Sequence, residues 1–220
     1  MHSTCEVFIK NKELNFNKIL DFHLKKELRE VESVILGAGT TPQRVGGLLI
    51  PQGVEILEEF HHSLEEYFKD FKVLGVEEEL FEPIPFFDNK DLFFKGFIDL
   101  IIESNDKIHI IDYKTTGWGW NNRKKTNKLQ IYQLILYKYF YSKKHNIPLD
   151  KIEAHFCLLK RTAKKTKKIE IFRVTSGGKR VDNCIDLTKK TLHSIKENVF
   201  IKNKLSCEFC EFNNTKWCVK

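Results

Sequence analysis

Long apolar runs are missing from this chain of 220 residues, and none approaches the roughly 20 apolar residues needed to cross a bilayer. The N-terminus, Met1-His2-Ser3-Thr4-Cys5, lacks the charged-then-apolar pattern of a secretion signal. These absences exclude a membrane partner and lead us to expect a soluble cytoplasmic protein. No internal repeat or low-complexity linker divides the chain, so its length suits one domain, or one with a small appendage. Methionine is nearly absent, with one residue, and phenylalanine, with 18, supplies much of the apolar content. Acidic residues are outnumbered 30 to 37 by basic ones, and the net charge of +7 helps binding to a polyanion without identifying one.

Cysteine is sparse through the body of the chain. Cys5, Cys157 and Cys184 are scattered, as inert core thiols are, whereas Cys207, Cys210 and Cys218 crowd the last fourteen residues. Their spacing, C-x2-C-x7-C, offers three corners of a metal site and leaves a fourth ligand to come from elsewhere.

Hydrophobic periodicity predicts helices over Asn17–Val34 and Val54–Phe71, the second with Ile56, Phe60, Leu64 and Phe68 on one face. Gly37–Thr41 reads as a loop between them. Strands are predicted over Lys72–Pro83, Asp91–Ile102 and Lys107–Lys114, the last two joined as a hairpin through Ser104-Asn105-Asp106. A polar loop, Thr115–Thr126, precedes a helix over Asn127–Lys144. Strands over Lys151–Arg161 and Lys168–Val174 and a helix over Arg180–Phe200 complete the core. The order implies an α/β fold, a mixed central sheet flanked by helices. Residues 1–50 form an N-terminal helical or irregular region, 51–200 the core, and 201–220 a cysteine cluster packed on it.

Two carboxylates and a lysine carry the chemistry. Asp99 nears the end of one apolar strand, and Asp112 and Lys114 the end of the next. Alternation puts Asp112 and Lys114 on one face with Tyr113 opposite. Converging carboxylates hold a hard divalent cation, and a lysine two residues on can meet the attacking water or the charge growing on a phosphate. Strand-end acids beside a solvated lysine would be the bland alternative, but burial of unpaired charge calls for a metal or a partner.

The segment Gly96-Phe97-Ile98-Asp99, then Asp112-Tyr113-Lys114-Thr115-Thr116 thirteen residues on from Asp99, then Gln133 and Tyr137, resembles the PD-(D/E)xK nuclease superfamily. It is most similar to the RecB-like branch, which includes CRISPR-adaptation nucleases and many phage exonucleases. Its pattern is G-x-x-D, D/E-x-K-T and then Q-x-x-x-Y on the following helix. The resemblance, over roughly residues 50 to 220, implies a restriction-endonuclease-like αβββαβ core with helical and cysteine-rich terminal additions. It makes Asp99, Asp112 and the Tyr113 carbonyl ligands of Mg²⁺ or Mn²⁺, and Lys114 the catalytic lysine. Gln133 and Tyr137 would position the site or the DNA, with Gln130 ranked second. The H-x-x-L-E pattern of the branch fits His61 as a further ligand; adjacent His62 falls on the polar helix face. Glu77, in the run Glu77-Glu78-Glu79, is the reserve carboxylate. The branch's [4Fe–4S] proteins suggest a cluster on Cys207, Cys210 and Cys218 with Cys5 as fourth ligand, and Zn²⁺ is the alternative. The long last spacing and the surroundings of Cys5 depart from that pattern.

The loop after Lys114 combines Trp118 and Trp120 with Arg123, Lys124 and Lys125, aromatic faces and cations suited to single-stranded DNA. The basic stretch Lys160–Lys168 is either a second phosphate track or a charged hairpin. The resemblance thus implies a metal-dependent DNA exonuclease on single strands or ends, in recombination, repair, phage DNA processing or CRISPR adaptation. A helicase or a recombination or CRISPR protein would be its partner, in a bacterial, archaeal or phage-infected cell. A restriction-type or structure-specific endonuclease and an inactive nucleic-acid-binding module are the alternatives.

Overall fold

The structure, a computed structural model, describes residues 42–88 (42–49 by backbone only), 91–199, 207, 208, 210–216 and 218, together with Cys5 and Ile9. The expected helix over Asn17–Val34 and the loop Gly37–Thr41 lie outside the described residues.

Helix α1, the first whose span is described, covers Pro42–Phe68. It begins twelve residues before the expected start, running through Pro51, whose missing N–H and ring ordinarily argue for a break. Ile56, Leu57, Phe60, Leu64 and Phe68 form its buried face, which anchors it on the sheet. It stops where Lys69 turns left-handed, with φ of 60° and its N–H bonded to the Glu65 carbonyl.

Strands β1 (Lys72–Pro83), β2 (Phe93–Ser104) and β3 (Lys107–Thr116) follow. Asn105 and Asp106, with φ of 51° and 57°, make the two-residue turn that the β2–β3 hairpin needs. The Ser104 hydroxyl donates to the Phe68 carbonyl at 2.7 Å and ties that turn to the end of α1. Within the expected loop lies a single turn, α2 (Asn122–Lys125), capped by the Asn121 side chain. Helix α3 (Lys128–His145) starts at the Asn127 cap and ends at left-handed Asn146. It crosses over to β4 (Ile152–Lys160), which lies parallel to β3; β5 (Ile169–Val174) and helix α4 (Gly178–Lys196) close the chain order.

The five strands run in the order β1-β2-β3-β4-β5, antiparallel except for the β3–β4 pair. This is the expected mixed sheet between helices. One core, under α1, joins Phe60 and Leu64 to Leu100, Ile111 and Tyr113. The other, under α3 and α4, joins Leu134, Tyr137 and Phe140 to Ile98, Ile110 and Phe156. Among the described residues no helix is long and apolar enough to cross a membrane.

One irregularity positions the site. Ile98 belongs to the α3-side core and Leu100 to the α1-side core, although alternation would put both on one face. Strand β1 changes face at the same level, between Val76 and Leu80. Between the pairs Val76↔Leu100 and Glu78↔Ile98 stands Glu77, opposite Asp99 and left-handed at φ 51°. Such a conformation in a strand interior costs about 1–3 kcal/mol and persists only where the surroundings impose it.

Candidate active site where two strands part

The β2–β3 ladder ends at Leu100↔Ile111, and the next pair in register would be Asp99 opposite Asp112. The pairing therefore stops where the two carboxylates begin. β3 stays paired with β4 as far as Thr116↔Lys160, and β2 with β1 as far as Phe93↔Pro83. Asp99 occupies the opening: its Oδ2 accepts the Tyr113 N–H at 2.6 Å, a charge-assisted bond in place of a ladder bond. Both carboxylates are buried.

Asp112 and Lys114 point toward α3 and Tyr113 toward α1, as alternation requires. Lys114 Nζ lies 2.7 Å from Asp112 Oδ2 and donates to Gln133 Oε1 at 3.1 Å. Gln133 Nε2 donates to the Tyr137 hydroxyl at 3.0 Å. One helical turn thus holds the lysine from behind, since residues four apart share a face. Burial pushes the Tyr137 phenol up in pKa; the bond from Gln133 works against this, and the charges of Asp112 and Asp99 add to it. The Tyr137 ring lies so near β2 that a Cβ on Gly96 would sit 2.6 Å from its Cε1. That close approach is the physical reason for a glycine three residues before Asp99.

The donor chemistry fits a hard divalent cation. Asp99, Asp112 and the Tyr113 carbonyl offer oxygen only, and the neighbouring cation, Lys114, leaves the acidic pair a net negative charge. Glu77 on β1 stands opposite Asp99 in register, but among the described residues no set of three ligand atoms within 4.8 Å joins it to Asp99 and Asp112. Its left-handed φ carries no signal in a sequence read by alternation.

Other expected residues lie elsewhere or in different settings. His61 Nδ1 lies 3.3 Å from Glu65 Oε1, and the ring lines a hollow with Leu64, Lys69, Phe71 and Val73, at the start of β1. Among the described residues, no set of three ligand atoms within 4.8 Å joins His61 to Asp99 and Asp112. His62 is exposed. Trp118 is 69% exposed, but Trp120 is 8% exposed and packs 5.1 Å from Phe156 in the core. Lys124 stacks over Trp120, Lys125 pairs with Glu170 at 2.6 Å, and Arg123 is exposed. In the basic hairpin Lys168 is buried and pairs with Glu55 at 2.7 Å, which fastens β5 to α1. A groove of about 450 Å³ opens beside Gln133 and Tyr137, lined by Phe94, Lys95, Leu129 and Leu187.

Cys207 and Cys210 are exposed and Cys218 half-buried, in a run of turns where the Cys210 N–H bonds the Cys207 carbonyl. Cys5 is fully buried in the α1-side core with Ile56, Phe60 and Cys157, and burial pushes its thiol up to about 12.

The chain matches the family model of the PD-(D/E)XK nuclease superfamily over residues 13–218. No curated protein matches it. Among solved structures it resembles a candidate exonuclease from Eubacterium rectale, with 11% identity, 93% of this chain and 72% of that one covered, and a TM-score of 0.55. SSO0001 is more distant, with 15% identity, 86% and 78% covered and a TM-score of 0.43. The first likeness supports the fold alone; a mixed five-stranded sheet between helices is the restriction-endonuclease-like α/β architecture. The match over nearly the whole chain makes this protein a member of the PD-(D/E)XK nuclease superfamily, whose chemistry is the hydrolysis of nucleic acid.

Proposed function

We propose that the protein is a divalent-metal-dependent DNA exonuclease of the RecB-like kind, acting on single strands or ends in recombination, repair, phage DNA processing or CRISPR adaptation. The observation that carries this reading is the linked set Asp112, Lys114, Gln133 and Tyr137 beside Asp99, at the point where β2 leaves β3. The Gln-Tyr helix separates the RecB-like branch from restriction-type enzymes, and the Eubacterium rectale neighbour is itself named as a candidate exonuclease.

Asp99, Asp112 and the Tyr113 carbonyl would hold Mg²⁺ or Mn²⁺, with Glu77 as a further carboxylate. Bound there, the cation supplies Lewis-acid stabilisation of the phosphate and a more acidic water. Lys114 Nζ, 2.7 Å from Asp112 Oδ2, meets the negative charge that grows on the phosphate oxygens. Gln133 fixes the ammonium, and Tyr137 fixes Gln133, so Lys114 needs little reorganisation during attack. The groove beside Gln133 and Tyr137 takes the strand, with Lys95, Arg123 and Lys124 on phosphates and Trp118 stacking on a base. Trp120 and Lys125 are committed to the core and to Glu170, and they support the loop rather than touch DNA.

The body over residues 51–200 carries this site, and the cysteines from 201 onward act as a staple. Cys207, Cys210 and Cys218 suit a thiolate-bound group, a [4Fe–4S] cluster or Zn²⁺. Cys5, deep in the core with its thiol hard to ionise, suits the fourth position poorly. Brown protein with visible charge-transfer absorption after anaerobic purification identifies the cluster, and colourless protein holding zinc identifies the alternative.

The test uses end-labelled linear and circular single-stranded DNA with Mg²⁺ or Mn²⁺. Mononucleotide release from linear DNA alone supports the proposal. Cutting of the circle makes the enzyme an endonuclease, and binding without hydrolysis makes it an inactive module.

A further inference from the structure

A second group of donors lies on the opposite sheet face from Asp112. His109 on β3 and Glu153 and His155 on β4 gather beneath the end of α1, where the Phe68 ring packs 4.9 Å from His109 and 5.1 Å from His155. His109 and Glu153 are directly paired across the parallel strands, and His155 lies opposite Ile111. Both histidines are buried.

Their protonation follows from their partners. His109 Nε2 lies 3.1 Å from the Ser104 carbonyl, which can only accept, so this nitrogen carries the proton. His109 Nδ1 therefore presents its lone pair, and His155 Nε2–H donates to it at 3.0 Å. His155 Nδ1 is left as a bare, buried nitrogen without a partner. Burial drives both rings toward the neutral form, His155 down to a pKa of about 3. Glu153 is divided: Oε1 takes Lys107 at 2.6 Å and Arg173 at 3.0 Å, while Oε2 faces the two histidine nitrogens at 3.9 Å each.

The spacing of these three atoms admits a metal in place of the hydrogen bond now present. A triangle with sides 3.0, 3.9 and 3.9 Å has a point about 2.1 Å from every corner, the Zn–N and Zn–O bond length. The Ser104 carbonyl already orients His109 as an outer partner orients a metal-bound imidazole. We infer that His109 Nδ1, His155 Nε2 and Glu153 Oε2 form a second cation site, for Zn²⁺ or a divalent ion of similar preference, which clasps β3 to β4. Binding requires the proton on His155 Nε2 to move, through solvent, to the bare Nδ1. That shift forfeits the His155–His109 hydrogen bond, which the metal replaces, and leaves a buried N–H at Nδ1 that the metal bonds must offset. Two nitrogens and one carboxylate oxygen select Zn²⁺ over Mg²⁺, so the site does not compete for the ion of the acidic pair.

The probe is Co²⁺, then Zn²⁺, added to the full chain carrying Cys207→Ser, Cys210→Ser, Cys218→Ser and Asp112→Asn, which removes the clustered thiolates and one carboxylate of the acidic pair. One Co²⁺ per chain, visible by its ligand-field absorption and displaced by Zn²⁺, is expected. Glu153→Gln should weaken it at least about tenfold, and His155→Phe should abolish it. Binding that is absent, or unchanged by both substitutions, overturns the inference. Ring ¹⁵N shifts of the parent chain give an answer independent of whether His155→Phe folds. Zn²⁺ should move the His155 proton from Nε2 to Nδ1, and an unaltered tautomer contradicts the site.

Discussion

Replacing Gly96 by alanine should damage catalysis far more than folding, through a side chain that touches neither metal nor DNA. The added methyl group would lie 2.6 Å from Tyr137 Cε1, against an ordinary carbon–carbon contact of about 3.5–4.0 Å. Either the ring or the strand must yield by about 1 Å. The ring is poorly placed to do so: it is buried, its edge packs near Phe94, and its hydroxyl accepts from Gln133. Overpacking of this kind costs about 1–3 kcal/mol. The displacement passes from Tyr137 to Gln133 and on to Lys114, and a misplacement of about 1 Å in a positioning residue lowers rate on the order of 100-fold. Tyr137→Leu removes the clashing atom, so the stability cost of Gly96→Ala should nearly vanish in that background. Denaturant unfolding of the four proteins of this cycle, with nuclease rates for the wild type and Gly96→Ala, makes the test. Equal costs with and without the ring, or a folded Gly96→Ala enzyme of wild-type rate, would refute the reasoning.

Three further outcomes are expected. Glu77→Gly should raise the unfolding midpoint, because glycine relieves the left-handed backbone by about 1 kcal/mol, while lowering activity through loss of the carboxylate beside Asp99; thermal melts and rates read both. Trp118→Ala should weaken single-stranded DNA binding, one base stack being worth about 1–3 kcal/mol, and leave the melting temperature unchanged; Trp120→Ala should cost about 3–5 kcal/mol of stability. The pH dependence of metal-free protein tests the buried His155. Its folded pKa of about 3 lies below the unfolded value of 6.5, so the unfolded chain takes up the proton first as pH falls. Stability should decline between those values, by about 1 kcal/mol at pH 5.5, and His155→Phe should flatten that decline in denaturant titrations.

The succession of strands and helices along the chain and the β2–β3 hairpin were legible because apolar alternation and turn residues coincide, as at Asn105-Asp106. Boundaries slipped where tertiary burial overrode a local signal: α1 runs through Pro51 because its later turns, from Ile56 to Phe68, are anchored on the sheet. Asp99, Asp112 and Lys114 could be read as a set because each follows an apolar run and together they resemble a family motif, and the structure bonds Gln133 to Tyr137, the pair that four-residue spacing puts on one helix face, and to Lys114. Alternation could not reveal the change of face at Glu77 and Asp99, since it is itself a break in alternation. Nor could composition distinguish the two tryptophans of one loop, where only packing decides that Trp120 fills the core and Trp118 faces solvent. The pairing of His109 with His155 depends on two strands 46 residues apart lying parallel in one register, and no local pattern encodes that.

The central claim is that the carboxylates at the parting of β2 and β3 are the hydrolytic centre, and Asp112→Asn tests it most directly. The substitution keeps the shape of the side chain and removes its charge. With Mg²⁺ or Mn²⁺ and end-labelled single-stranded DNA, hydrolysis should fall on the order of 10³-fold while the unfolding midpoint and DNA binding persist. A folded Asp112→Asn protein that degrades DNA at the wild-type rate would contradict the account.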